Sequence, residues 1–286
     1  MVRLTGSNLR RVAAGAGLAA AAMLMGGAGT AWASEPQPWQ FGFQPPATPI
    51  TQRVDAFHHE LLIIITLITI FVMGLLAYVI VRFRASVHPV PTRTSHNSMI
   101  EVLWTVIPVL ILVTIAVPSF KLMYYMDEVP KSDMTIKVTA HQWYWSYEYP
   151  DQKVGFDSNL VAEKDLKPGQ KRLLAVDNPL VVPAGTNIRV QVTGTDVIHS
   201  WFVPSFGVQE YAIIGRLNEA WMNVLKPGTY FGECNQICGV NHAFMPIEVQ
   251  VLSKDDFQKW LGGAKKKFAL DAPQAVPGPQ LAAAAN

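Results

Sequence analysis

Two long uncharged segments dominate the pattern of hydrophobic and polar positions along the chain. The first runs from Leu61 to Val81 and the second from Val102 to Phe120, which is 21 and 19 residues. A helix of about 20 apolar residues spans the hydrocarbon core of a bilayer. Both segments are therefore predicted to be transmembrane helices. Pro108 and Pro118 lie inside the second one, where neighbouring helices can satisfy the freed backbone groups.

The loop between these segments is basic, since it carries Arg82, Arg84 and Arg93. Short loops rich in arginine and lysine stay on the cytoplasmic side of a membrane. We therefore expect residues 57–121 to form a two-helix hairpin surrounded by membrane lipid. Both ends of the chain would then lie on the side opposite the cytoplasm.

Beyond Lys131 the pattern changes to short β-branched or aromatic runs, such as TNIRVQVTG and MPIEVQVL, separated by turn-forming pairs. Many short strands with turn signals predict an all-β sandwich or Greek-key barrel. We assign it to residues 122–262, with DDFQKWLGG as a brief closing helix. Residues 263–286 have low complexity and are predicted to form a mobile tail.

The N-terminus has the features of a secretory signal: a basic start, an apolar stretch and an A-x-A site at residues 31–33. We expect residues 1–33 to be removed, the alternative being an uncleaved anchor. Residues 34–56 are polar and proline-rich, and are predicted to be an extended periplasmic segment.

The charge of the chain adds little to these structural predictions. The chain has 23 Lys and Arg against 21 Asp and Glu, a net charge of +2. Removal of the signal, with Arg3, Arg10 and Arg11, leaves 20 basic and 21 acidic residues, which is close to neutral. The sequence has no basic tract or aromatic ladder of the kind that binds nucleic acid, so nucleic acid is excluded as a partner.

The candidate chemistry lies in the stretch CNQICGVNHAFM, which contains Cys234, Cys238, His242 and Met245. Two cysteines in an exported protein are commonly a disulfide, and this alternative stays open on the residues alone. With His199 from DVIHSW, the stretch offers thiolate, imidazole and thioether, a soft set that selects copper. A zinc site seldom recruits methionine. Two sulfurs on one loop could bridge two copper ions.

These motifs resemble subunit II of the haem–copper cytochrome c oxidases. The resemblance also rests on DVIHSWFVPSFGV, GRLNEAW, HQWYWSYEYP and the two-helix anchor. It implies a cupredoxin-like Greek-key barrel that carries a binuclear copper centre, called CuA. The implied copper ligands are His199, Cys234, the main-chain carbonyl of Gln236, Cys238, His242 and Met245.

The resemblance further implies that the chain is the electron-accepting subunit of a proton-pumping respiratory oxidase. Cytochrome c would deliver electrons at Trp143, and the copper centre would pass them to haem in subunit I, where oxygen is reduced to water. Subunits I and III would be its partners, and Glu101 would lie at the mouth of a proton path into subunit I. The implied acidic docking residues for cytochrome c are Glu148, Asp157, Asp177 and Asp196.

The sequence departs from the family pattern at three positions. Gln236 stands where the family usually has glutamate, whose carboxylate also reaches a magnesium or manganese ion beside subunit I. An amide oxygen is a neutral and weaker ligand for a hard cation, so the sequence predicts a weakened magnesium site but an intact copper site. Tyr211 and Ile214 replace the usual Asp and Pro, which alters expected contacts with subunit I.

Two other functions would require a different set of residues. A metal-free structural subunit, as in the related quinol oxidases, lacks the copper ligands that are present here. A copper carrier needs exposed, labile ligands and no tryptophan beside them. The chain contains no C-x-x-C-H motif and so is expected to bring no haem of its own. His141 is predicted to be structural.

Overall fold

The computed structural model describes residues 32–270, so most of the predicted signal and the last part of the predicted tail lie outside it. The two apolar segments are helices α1 (Pro49–Arg82) and α2 (Ser98–Asp127). Both are long and apolar enough to cross a membrane. Their apolar side chains are exposed along most of their length, as lipid-facing residues are.

Side-chain caps explain where the two helices begin. The hydroxyl of Thr48 accepts a hydrogen bond from Thr51 N, and the amide oxygen of Asn97 accepts from the first turn of α2. Such caps satisfy backbone N–H groups that have no partner inside the helix. With Pro49 at its first position, α1 begins within the predicted extended segment 34–56. The helical hairpin is thus longer at both ends than 57–121.

The rest of the described chain is mainly two β-sheets. Their strands are β1 (Trp32–Ser34), β2 (Met134–His141), β3 (Tyr144–Tyr149), β4 (Val154–Ser158), β5 (Leu180–Pro183), β6 (Ile188–Gly194), β7 (His199–Val203), β8 (Val208–Ala212), β9 (Asn218–Met222), β10 (Gly228–Cys234) and β11 (Pro246–Leu252). One sheet has the order β5-β11-β10-β7-β8, with β1 on β10, and the other has the order β4-β3-β2-β6-β9. Connections between the sheets give the predicted cupredoxin-like barrel.

The core lies between the sheets and follows from alternation along the strands. On β3, Trp145, Tyr147 and Tyr149 are fully buried, whereas Ser146 and Glu148 point outward. The side-chain period of two in a strand produces this division. The aromatic block of the sequence therefore supplies the barrel interior with three large rings.

Helix α1 is attached to the barrel at its N-terminal end. The hydroxyl of Thr48 donates to Phe206 O at 2.6 Å, and that of Thr51 donates to Ser205 O at 2.8 Å. All four of these residues are buried. The membrane helix therefore begins in direct contact with the loop that follows β7.

A second contact joins both helices to the other sheet. The guanidinium of Arg53 lies 3.4 Å from the ring centroid of Tyr125, and this ring meets Trp221 of β9 edge-on at 5.4 Å. Cation–π and edge-to-face pairs are each worth about 1 kcal/mol. The barrel is thus held by α1 on one side and by α2 on the other.

Helix α3 (Lys254–Lys267) closes the barrel and is capped by Ser253, whose hydroxyl accepts from Asp256 N. The boundary predicted at 262 falls inside this helix. After the helix, Phe268 packs on Phe156 with centroids 4.9 Å apart, and its carbonyl accepts from Gly155 N. The described part of the predicted tail therefore packs against β4.

Candidate metal centre

Two reduced thiols lie at the centre of the candidate site. Cys234 ends β10 and Cys238 lies in the loop that follows, with their Sγ atoms 3.8 Å apart. A disulfide needs about 2.0 Å between sulfurs, and neither cysteine forms one. Both side chains are buried, so the pair is shielded from solvent at the edge of the core. The disulfide alternative is not realised in the structure.

His199 approaches the thiols from the neighbouring strand. Strand β7 pairs with β10, and Cys234 lies opposite Trp201. This pairing brings His199 Nδ1 to 4.0 Å from Cys234 Sγ. His199 Nε2 lies 2.9 Å from Asp196 Oδ1. A carboxylate on the second ring nitrogen is the usual means by which proteins orient a metal-binding histidine.

The remaining donors come from the loop between β10 and β11. His242 Nδ1 lies 3.6 Å and Met245 Sδ 3.7 Å from Cys238 Sγ, and Gln236 O lies 3.3 Å from Cys234 Sγ. Each sulfur therefore has one imidazole and one weaker donor within 4.0 Å. The structure brings together all six sequence-predicted donors.

The acid–base properties of the thiols also suit a cation. Burial raises the pKa of Cys234, but hydrogen bonds from His199 and from the backbone at Ser200 and Gln236 outweigh it and hold this pKa at about 7. Burial and the neighbouring Cys234 thiolate raise the pKa of Cys238. The second thiolate is therefore unfavourable without a positive ion. Metal binding would supply that ion and release the proton.

Trp143 lies against the cysteine loop, in the turn between β2 and β3. Its indole Nε1 donates to Cys238 O at 3.3 Å, and Gln142 Nε2 donates to the same oxygen at 3.0 Å. Gly239 has φ +124°, and a Cβ there would lie 3.0 Å from Trp143 Cζ2. Glycine is thus required at this position both by the backbone and by the close approach of the indole.

The four predicted docking carboxylates all have partners in the structure. Glu148 forms an ion pair with Lys137 at 2.9 Å. Asp157 accepts from the Ser146 hydroxyl at 2.6 Å on the neighbouring strand. Hydrogen bonds connect the others to the loops around this face: Asp177 accepts from Asn159 N and Asn178 N, and Asp196 accepts from Gln142 N, Val197 N and His199.

His141 is not directed at the thiols. Its Nε2 lies 3.0 Å from Ser146 Oγ, its Nδ1 lies 2.9 Å from Thr195 Oγ1, and its ring stacks on Tyr144 at 4.5 Å. Burial lowers the pKa of His141, against the opposing effect of Asp157. Both ring nitrogens are occupied, which agrees with a structural role.

Glu101 lies far from the other predicted site residues. It is in the first turn of α2, whereas the barrel is reached at the other end of the helix. Thirty residues of helix span about 45 Å. The structure therefore separates this carboxylate from the cysteine loop by the thickness of a membrane.

Sequence reasoning missed the contact between Asp196 and His199. It assigned Asp196 to a docking surface, yet this carboxylate binds a predicted copper ligand. The spacing Asp-x-x-His in DVIH is a signal for such a pair. It also missed Gln142, whose side chain reaches Cys238 O across 96 residues of chain.

The fold and the site together define a membrane-anchored cupredoxin-like protein with a buried cluster of thiol, imidazole and thioether groups. Two family models match the chain: the periplasmic domain of cytochrome c oxidase subunit II over residues 134–252, and its transmembrane domain over residues 36–122. The chain therefore belongs to the cytochrome c oxidase subunit II family.

Individual relatives agree with this family. A probable cytochrome c oxidase subunit 2 of Rickettsia bellii is 51% identical over 239 residues, covering 83% of this chain and 89% of that protein. Subunit 2 of Arabidopsis thaliana is 47% identical over 232 residues, covering 79% and 89%. The periplasmic domain of subunit II of cytochrome oxidase of Bradyrhizobium japonicum is 52% identical, covering 50% of this chain and all of that structure, with a TM-score of 0.47.

Proposed function

We propose that this chain takes electrons from cytochrome c at a binuclear CuA centre and passes them to haem in subunit I. One observation carries the proposal: two reduced, buried thiols 3.8 Å apart, each within 4.0 Å of one imidazole nitrogen and one weaker donor. Such a soft set suits copper. The proposed ligands are His199, Cys234, Gln236 O, Cys238, His242 and Met245.

The ligand set fits two copper ions better than one. A single blue-copper ion uses one thiolate with two imidazoles and a weak thioether. Here a second thiolate and a main-chain oxygen are present as well. When bound, the copper pair supplies acceptance and donation of a single electron. The chain supplies two thiolates that offset the charge of the ions and a site buried from water.

The positions of the donors suit rapid electron transfer. His199 is fixed by a strand and by Asp196, and Met245 is 1% exposed immediately before β11. Donors held by strands and by core packing move little when the charge of the site changes. The chain would therefore hold one geometry in both redox states.

Trp143 is the proposed point at which electrons from cytochrome c reach the centre. The indole is partly exposed and its Nε1 is hydrogen-bonded to Cys238 O. It therefore connects the surface to a proposed copper ligand through one hydrogen bond. A large aromatic side chain of this kind is also a frequent anchor in protein interfaces.

Glu148, Asp157 and Asp177 are proposed to attract the basic surface of cytochrome c. Asp157 and Glu148 lie on the outward face of neighbouring strands, and Asn178 Nδ2, beside Asp177, donates to Asp157 O. Such a negative surface would raise the association rate at low salt. Asp196, assigned to the same surface from the sequence, lies beside it and contacts His199.

The remaining assignments follow from the family. We propose that subunits I and III surround the helical hairpin in a bacterial inner membrane, with the barrel and both chain ends in the periplasm. Glu101 would then face the cytoplasm and begin a proton path into subunit I. The division into a signal at 1–33, a periplasmic segment, a hairpin, a barrel and a tail also stays a proposal. Magnesium binding is expected to be weak, because Gln236 offers an amide.

Copper analysis of the full chain tests the proposal. The thiols of the detergent-solubilised chain are first reduced and the reductant is removed; the chain is then loaded with equal amounts of Cu(I) and Cu(II), freed of excess metal, and examined for copper content and its EPR spectrum. Two coppers per chain with hyperfine splitting shared by two nuclei are expected. One copper with single-nucleus splitting would indicate a blue-copper site. No copper in a folded chain would indicate a metal-free structural subunit.

A further inference from the structure

A single carboxylate joins a proposed copper ligand to the turn that carries Trp143. Asp196 Oδ1 lies 2.9 Å from His199 Nε2 and accepts from Val197 N at 2.6 Å. Asp196 Oδ2 accepts from Gln142 N at 2.6 Å. Both oxygen atoms of Asp196 are therefore committed to partners within the chain.

Gln142 continues this connection to the cysteine loop. Its backbone N–H is held by Asp196, while its side-chain Nε2 donates to Cys238 O at 3.0 Å. The indole of Trp143 donates to the same oxygen. The turn is thus attached at one end to the partner of His199 and at the other to the backbone of Cys238.

We propose that Asp196 and Gln142 form a clamp that positions His199 and Trp143 with respect to each other. The inference rests on the proposed function, since it concerns the path from Trp143 to the copper ligands. In this role Asp196 is a positioning residue, which acts through its hydrogen bonds and not through its charge alone. Gln142 is exposed, so its two hydrogen bonds, and not burial, hold the turn in place.

The exposure and contacts of Asp196 separate these two roles. Its side chain is 30% exposed, and its three partners belong to two different segments of the barrel. A docking carboxylate acts through charge at a distance and is screened by salt. A positioning carboxylate acts through the geometry of its hydrogen bonds, which salt leaves unchanged. The two roles therefore predict different salt dependence.

Asp196→Asn tests the clamp because an amide offers one acceptor oxygen where the carboxylate has two. Either His199 or Gln142 N must then face an amide N–H₂ group. In the copper-free, detergent-solubilised full chain labelled with ¹⁵N in histidine and tryptophan, we expect shifts of the His199 ring and Trp143 indole resonances. Resonances are assigned with His199→Gln and Trp143→Phe.

Gln142→Met is the companion variant, because it keeps the backbone N–H and the length of the side chain but removes the donor to Cys238 O. It is expected to shift the Trp143 resonance and to leave His199 unchanged. Asp177→Asn removes the same charge as Asp196→Asn and is expected to shift neither. Gln142 is exposed, so its replacement leaves the core unchanged. Gln142→Met therefore tests the clamp even if Asp196→Asn does not fold.

The copper-loaded chain gives a second, independent readout. Loss of a partner behind a metal-binding histidine lowers metal affinity about 10- to 100-fold. We expect Asp196→Asn to weaken copper binding by at least tenfold and to alter the EPR spectrum at both low and high salt. Asp177→Asn should change neither.

Three results would overturn the clamp. One is an unchanged Trp143 resonance in Asp196→Asn; another is an unchanged Trp143 resonance in Gln142→Met. The third is an Asp196→Asn variant that, like Asp177→Asn, changes only the low-salt rate of cytochrome c oxidation. Failure of the wild-type chain to bind two coppers would instead contradict the proposed function. The resonances of the copper-free chain would still test the clamp in that case.

Discussion

The Sγ atoms of Cys234 and Cys238 lie 3.8 Å apart at the edge of the core, with His199 Nδ1 at 4.0 Å from Cys234 and His242 Nδ1 at 3.6 Å from Cys238. The strand pairing of β7 with β10 and the loop after β10 produce this arrangement, so the barrel itself sets the distance between the two thiols.

The first prediction concerns the thioether. Met245→Leu keeps the volume of the side chain, so the free energy of unfolding of the copper-free chain should fall by less than about 1.5 kcal/mol. The chain should still bind two coppers, but loss of a weak sulfur donor should raise the reduction potential, which is measured by redox titration. Met222 is equally buried, on β9. Met222→Leu should leave the potential unchanged, and an equal shift in both variants would remove Met245 from the ligand set.

The second prediction concerns the second thiol. Cys238→Ser removes one of the two thiolates that we propose to hold the copper ions. The variant is expected to bind at most one copper, with an EPR spectrum split by a single nucleus. Two coppers with shared splitting in this variant would remove Cys238 from the ligand set.

The third prediction concerns the contact between the cysteine loop and the indole. Gly239→Ala places a Cβ 3.0 Å from Trp143 Cζ2 on a backbone of φ +124°. Alanine at such a position costs more than about 1 kcal/mol and should displace the indole. Thermal unfolding and the ¹⁵N resonance of Trp143 measure both effects.

Gly262→Ala is the control for that substitution, since Gly262 lies in α3 and a Cβ there meets nothing within 4 Å. It should stabilise the chain by up to about 1 kcal/mol. If both alanine variants behaved alike, the packing of Gly239 on Trp143 would not constrain this loop.

The fourth prediction concerns steering of cytochrome c. Glu148→Gln removes a charge beside Lys137 and should slow cytochrome c oxidation by the complete oxidase several-fold at low salt. The rates should converge near 0.1 M salt, where the Debye length is about 10 Å. Glu163, which pairs with Arg172 in the loop before β5, provides the matched control. An equal effect of Glu163→Gln would show that the net charge of the chain, and not the face that carries Glu148, attracts cytochrome c.

The fifth prediction concerns pH. Burial raises the pKa of Glu248 against the hydrogen bond from Val176 N. A carboxyl group whose pKa is raised by folding stabilises the folded chain at pH values below its ordinary pKa. This contribution to the free energy of unfolding is lost as the pH rises. Glu248→Gln keeps the acceptor and removes the charge, so it should unfold at a higher temperature than the wild type at pH 7 and at the same temperature near pH 4.

The carboxyl group of Asp256 predicts the opposite dependence of stability on pH. Hydrogen bonds from Lys259 and Ser253 lower the pKa of Asp256, so its stability is present above its ordinary pKa and is lost as pH falls. Asp256→Asn should therefore unfold at a lower temperature than the wild type at pH 7. If Glu248→Gln followed Asp256→Asn, burial of Glu248 would not be the dominant effect.

Hydrophobic periodicity predicted both helices and the all-β barrel, because length and alternation are local properties of the sequence. The start of α1 at Pro49 was not predictable in this way, since Thr48 also binds Phe206 across 158 residues of chain. The packing of Phe268 on Phe156 likewise depends on tertiary contact within a segment of low complexity.

The site likewise combines features that the local sequence pattern predicts with features that depend on tertiary contacts. Donor types and their spacing predicted which side chains would converge on the thiols. The link from Asp196 to Gln142 joins residues 54 positions apart by a backbone N–H, which every non-proline residue possesses. Residue identity therefore carries no signal for it, and only the strand arrangement reveals it.

The bonds of Thr48 and Thr51 to the loop after β7 determine how the barrel stands above the bilayer. A domain on a flexible linker would sample many heights and tilts above the bilayer. Only some of these orientations would bring the cysteine loop close enough to the membrane for electron transfer. Because α1 is hydrogen-bonded to the barrel where the helix begins, the fold itself sets the distance from the cysteine loop to groups in the membrane. The electron transfer proposed above would then take place at a constant separation, and the encounter with cytochrome c would be the step that needs diffusion.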